Sequence, residues 1–347
     1  MRLFGLTVCL AAATFAAVEV EHVGGGGTAE AGAPVMNLHL VEPFGVDFDD
    51  QGNWYICEHK GERVVRVNPD GSTTLVAGTG SEGYSGDGGP ATAAQFKDPH
   101  GIVITRNRLM YVADTQNHVV RKIDLRTGTI TTIAGTGKAG FAGDGGPATA
   151  AQFNGTFGIA INRQQDQLYV ADLGNRRVRK VDLKTGLITT LAGTGTKGVP
   201  PDGAKAADSP LVDPRAVAVD STGNLYILER GGNALRVVNA PGVIRTLIGP
   251  GAVTPDLKGP KHLCVDRKGN VIIADAENNL VRLYNPRTGK TLTLAGTGKQ
   301  GAQIEASDPT QTEVARPHGV TVDRRGRLWI VDSYNHRILR LTRYRTQ

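Results

Sequence analysis

The sequence predicts an all-β chain folded as a six-bladed β-propeller of four-stranded antiparallel blades, closed by an N-terminal strand. Three observations predict it. One pattern recurs six times, anchored at Pro43-Phe44-Gly45-Val46, Pro99-His100-Gly101-Ile102, Thr156-Phe157-Gly158-Ile159, Pro214-Arg215-Ala216-Val217, Pro260-Lys261-His262-Leu263 and Pro317-His318-Gly319-Val320. Each copy holds four short runs of period-2 alternation broken by Gly, Asn or Asp, the mark of short antiparallel strands, and a four-stranded repeat of this size is a propeller blade. The composition agrees: 46 glycines among 347 residues and 39% apolar content describe a turn-rich chain with stacked sheets in place of one central core.

Taken in order, Met1-Arg2 followed by the uncharged stretch Leu3 to Ala17 and then by Glu19 and Glu21 has the layout of a secretory signal peptide, with cleavage expected after Ala16 or Ala17. That stretch is too short for a transmembrane span, and export to the periplasm or the exterior is expected. Residues 18–34, with Gly24 to Gly27, read as a flexible linker. The propeller then occupies 35–347, with blades starting near 43, 99, 156, 214, 260 and 317. Blade six lacks its own fourth strand, and the alternating Met36 to Val41 is expected to supply it, removing an open sheet edge.

Between blades, Gly86 to Phe96 recurs as Gly143 to Phe153, and the Pro before Ala-Thr-Ala predicts a short helical turn entered through glycines. Each second strand ends in an acid: Glu58, Asp114, Asp172, Glu229, Asp275 and Asp332. Asn or His and usually Arg follow, as with Asn117 and Arg121 after Asp114, so these carboxylates read as pins for tight corners, a ring of cation ligands being the alternative. Cys57 and Cys264 fall on non-adjacent blades, and no disulfide is expected.

The run Leu168-Tyr169-Val170-Ala171-Asp172-Leu173-Gly174-Asn175-Arg176-Arg177-Val178 resembles the NHL repeat, and the resemblance covers about residues 43 to 345. It implies a propeller used as an RNA binder, a protein platform, an extracellular sensor or, in one branch, a lyase. Net charge is +6, partly from Arg176, Arg177, Arg179 and Lys180 and from Arg337, Arg340, Arg343 and Arg345. No aromatic residues interleave with these clusters to stack bases, which argues against nucleic acid.

His100, His262 and His318 stand at or next to the start of the innermost strands of blades two, five and six, where side chains line the channel mouth. Three imidazoles there could hold zinc with an open fourth position. The Pro99-His100 and Pro317-His318 pairs resemble the motif of the peptidyl-hydroxyglycine amidating lyase propellers, which implies catalytic roles for Tyr334 and for Arg230 or Lys60. Blade four offers Arg215 instead of a histidine, and the third histidine is shifted beside Lys261. Likeness to gluconolactonase-type propellers stops at the fold, since their channel-mouth Glu and Asn do not occur at the matching positions. The reading is a monomeric, exported scaffold without a cofactor, binding a protein or small extracellular ligand through His100, Arg215, His262 and His318. The alternative is a zinc-dependent lyase using His100, His262 and His318.

Overall fold

The computed structural model describes residues 18–249 and 256–344. Six four-stranded antiparallel sheets form the six blades, with the strands of blades one to five in sequence order. The innermost strands are Pro43–Phe48, Pro99–Ile104, Thr156–Ile161, Pro214–Val219, His262–Val265 and Gly319–Val322. Neighbouring sheets pack face to face, so the apolar core is a series of six clusters, most of them joining residues of two neighbouring blades. Short 3-10 turns at Ala91–Ala93 and Ala148–Ala150 stand where the Pro-Ala-Thr-Ala repeats predict them.

Closure is made by an N-terminal strand, but from a different segment than the alternation suggests. Val20–Gly25 pairs antiparallel with Arg337–Leu341, Val20 opposite Leu341 and Gly25 opposite Arg337. Met36 to Val41 forms no strand of blade six; Val35–Asn37 is a 3-10 turn, and Leu38 and Leu40 are fully buried against Trp54, Trp329 and Ile338. Residues 18–34 are therefore not a free linker. The glycines are there for close approach: a Cβ on Gly25, at φ +83°, would lie 2.4 Å from the His336 carbonyl oxygen, and one on Gly27 would lie 2.0 Å from that of Asn37. Ser333 Oγ of blade six also donates to the Pro43 carbonyl of blade one at 2.6 Å, tying the last blade to the first.

The proposed signal, residues 1–17, lies outside the described residues. Among the described residues no helix is long and apolar enough to cross a membrane. Cys57 and Cys264 are both free thiols.

Candidate functional site at the channel mouth

The six corner acids are fully buried, and each accepts the backbone N–H of a residue 17 or 18 positions upstream, as from Val41 to Glu58, Lys97 to Asp114 and Ala315 to Asp332. Each also faces an arginine, Arg63, Arg121, Arg179, Arg236, Arg282 or Arg337, at 2.6–3.5 Å. One carboxylate thus fixes the loop entering its blade and the turn leaving its second strand. These oxygens are consumed by the fold, which corresponds to the corner-pin reading. Each basic cluster loses members to the fold: Arg179 and Arg337 are buried pins, and Arg340 pairs with Glu21.

The second residue of each blade's innermost segment forms a ring at the mouth: Phe44, His100, Phe157, Arg215, Lys261 and His318. In blades one to four a register shift follows the first residue of the innermost strand, freeing the second from strict pairing. The ring is packed along most of its course. His318 stacks on Phe44 at 4.0 Å and 7°, Phe44 meets the edge of His100 at 5.0 Å, His100 meets Phe157 at 4.7 Å, and the Arg215 guanidinium lies 4.1 Å from the Phe157 ring centroid. His59 stacks on the other side of Phe44 at 4.3 Å, and Tyr334 stacks on His318 at 5.8 Å.

His262 belongs to the next tier. The other blades carry Gly45, Gly101, Gly158, Ala216 and Gly319 there, so its imidazole is the one large side chain at that level and borders both the mouth cavity and the channel below. The mouth cavity measures about 20 Å³ and the channel beneath about 290 Å³. In the channel Asp47 accepts the Ile104 N–H at 2.6 Å, and burial pushes its carboxyl up to about 6.

The tautomers follow from the partners. His100 and His318 place Nδ1 at 2.8 and 2.9 Å from the carbonyl oxygens of Asp98 and Arg316, which can only accept, so Nδ1 carries the proton and Nε2 the lone pair. The Val320 N–H points at Nδ1 of His262, at 3.5 Å, which leaves Nε2–H on that ring as a donor. Burial holds all three imidazoles below their usual range, His262 at about 4, so they are neutral at pH 7. Against zinc stand two features of the trio: two rings offer lone pairs while the third offers a proton, and Arg215 borders the same cavity.

The remaining candidates occupy the rim. Lys60 Nζ donates to Asp98 at 2.6 Å. Arg230 faces Glu277 at 3.8 Å, and Tyr334 is 41% exposed with its hydroxyl 3.4 Å from Arg316. Sequence reasoning missed Phe44, Phe157 and His59, although the second position of each repeat would have found the first two. It also missed Glu62, Glu82 and Asp98, whose oxygens lie within 4.8 Å of one another. That trio is partly neutralised by Lys60 and Lys97, and burial pushes Glu62 up to about 8, so it is protonated at pH 7. A larger cavity, about 640 Å³, lies beside Trp54 and Trp329 at the seam of blades one and six, on the opposite face. Two of its four arginines are engaged, Arg327 with Asp323 and Arg340 with Glu21, both at 2.6 Å.

The NHL repeat family matches residues 315–341, the last blade described above, and the Teneurin NHL domain family matches residues 191–255. The chain is an NHL-repeat six-bladed β-propeller. This NHL propeller is 27% identical to NHL repeat-containing protein 2 of Gallus gallus over 86% of its own length and 46% of that protein, so it spans about half of the relative. It superposes on an auxiliary nutrient binding protein from Bacteroides thetaiotaomicron with a TM-score of 0.68 at 14% identity, over 95% of this chain and 77% of that one. Virginiamycin B lyase from Staphylococcus aureus superposes with a TM-score of 0.52 at 14% identity, over 91% and 82% of the two chains. At such identity these two likenesses concern the fold alone.

Proposed function

We propose that this NHL propeller is an exported, monomeric recognition scaffold that binds a protein or small ligand on the face carrying the channel mouth, the corners and the interblade loops. The observation that carries the reading is the chemistry of the mouth: buried Arg215 and Lys261 and the His262 donor stand beside an aromatic wall, a set suited to holding a ligand. The loop face widens that site. Three consecutive interblade loops present Tyr84, Phe141 and Val199 after equivalent glycines, 44%, 43% and 59% exposed, an apolar series of the kind that marks contact surfaces. A propeller of the same fold, an auxiliary nutrient binding protein, is consistent with this use.

The alternative is a metal-dependent lyase, since a lyase also shares the fold. Elemental analysis after dialysis without chelator separates the two. The scaffold reading expects far less than one equivalent of zinc; near one equivalent, lost in both His100→Ala and His318→Ala, would overturn it.

A further inference from the structure

We propose that Arg215 and Lys261 form a binding site for a carboxylate group, seated in the small cavity at the channel mouth. The proposal rests on the reading of the mouth as a recognition site and names the chemistry recognised there. The other buried arginines, Arg121, Arg179, Arg236 and Arg337, each face a corner carboxylate. Arg215 does not. It is 7% exposed, stacks on Phe157, and among the described residues makes no hydrogen bond or ion pair. Lys261 is also 7% exposed; its backbone N–H donates to the Ala274 carbonyl at 3.0 Å, but among the described residues its ammonium has neither kind of partner.

The carboxylates nearby are engaged elsewhere. Asp213 accepts the N–H groups of Gly231 and Gly232, and Glu277 is shared between Arg230 at 3.8 Å and Arg316 at 3.3 Å. Asp213 and Glu277 act on Arg215 and Lys261 only from a distance, so two adjacent buried cations without a contacting anion raise the energy of the empty protein, and an anion placed between them relieves it. Burial, with Arg215, Arg230 and Arg316 close by, pushes the Lys261 ammonium down to about 7, and burial, with Arg230, pushes Arg215 down to about 9.

Shape selects among anions. The cavity is small, about 20 Å³, so only the leading group of an anion can sit between Arg215 and Lys261, and the geometry of that group decides the pairing. A guanidinium stacked on an aromatic ring keeps its planar edge for bidentate pairing with two coplanar oxygens. The Nε2–H of His262, which borders the same cavity, supplies a neutral donor, Phe44 and Phe157 bring apolar wall, and the Nε2 lone pairs of His100 and His318 confine an anion to the side of Arg215 and Lys261.

The test is a calorimetric titration of the full chain with sodium acetate at constant ionic strength, with acetamide, sodium sulfate and sodium chloride as comparators. Saturable one-site binding of acetate, tighter than sulfate or chloride and absent for acetamide, is expected. Arg215→Met and Lys261→Met should each weaken acetate by about tenfold, the loss of one charged hydrogen-bonding partner, while far-ultraviolet circular dichroism and cooperative melting show retained folding. Should Arg215→Met not fold, Lys261→Met and Arg215→Lys carry the test. No saturable acetate binding, equal binding of sulfate or chloride, or unchanged affinity in the folded variants would each overturn the proposal. Metal-free protein that ignores acetate would sink the carboxylate site alone, whereas retained zinc would sink the scaffold reading.

Discussion

Removing the carboxylate of Asp332 tests the corner pins. Asp332 is fully buried and accepts from the Ala315 N–H at 2.7 Å, from Asn335 Nδ2 at 2.8 Å and from Arg337 Nε at 2.7 Å. Asp332→Ala strands the N–H of Ala315, itself 2% exposed, and stranding one buried donor costs about 1–3 kcal/mol. It also leaves the Arg337 cation without its anion, although that guanidinium keeps the carbonyls of Ala302 and Glu313. Breaking a buried pair on one side costs about 3–5 kcal/mol, so a loss in that range is expected. Tyr334→Ala, at the exposed corner two residues on, loses its stack on His318 and should cost clearly less, about 0.5–1.5 kcal/mol. Urea denaturation followed by circular dichroism reads both. A loss under about 1 kcal/mol for Asp332→Ala would refute the argument that these six acids hold the blades together.

Three further outcomes follow from the same structure. Deleting residues 18–25 should open the edge of Arg337–Leu341 and give a lower melting temperature with concentration-dependent aggregation; an unchanged, monomeric product would refute closure by Val20–Gly25. If residues 1–17 are a signal, N-terminal sequencing of exported protein should read Val18 or a start just before it, and a start beyond Val20 would contradict both processing and closure. Lys261 is held near 7 when folded and returns to its ordinary, higher value when unfolded, so between those limits the unfolded chain binds more protons and stability should rise with pH. Lys261→Met should flatten that rise in denaturation series at successive pH values, and an identical slope in the two proteins would refute it.

What the sequence determined by itself was the repeat. Period-2 alternation, turn residues and six matching anchors specify strands, blade count and the acid at each corner, because these depend on contacts within one copy and are written six times over. The Asp-x-x-Asn and Arg spacing was enough to assign the corner pins, as Asp332 with Asn335 and Arg337 shows. The tertiary structure alone decided matters that depend on residues far apart in the chain. Alternation at Met36 to Val41 marks burial, yet whether Leu38 and Leu40 are buried in a ladder or under one depends on where Val20–Gly25 meets a strand more than 300 residues away. Glycines 24 to 27 look like a linker in sequence, whereas Gly25 and Gly27 fill space too close for a side chain. The mouth follows the same logic: three histidines read as one metal set, and it took the ring to place Arg215 and Lys261 without a contacting anion beside a histidine turned to donate, because charge balance in a cavity is set by six blades converging on one axis.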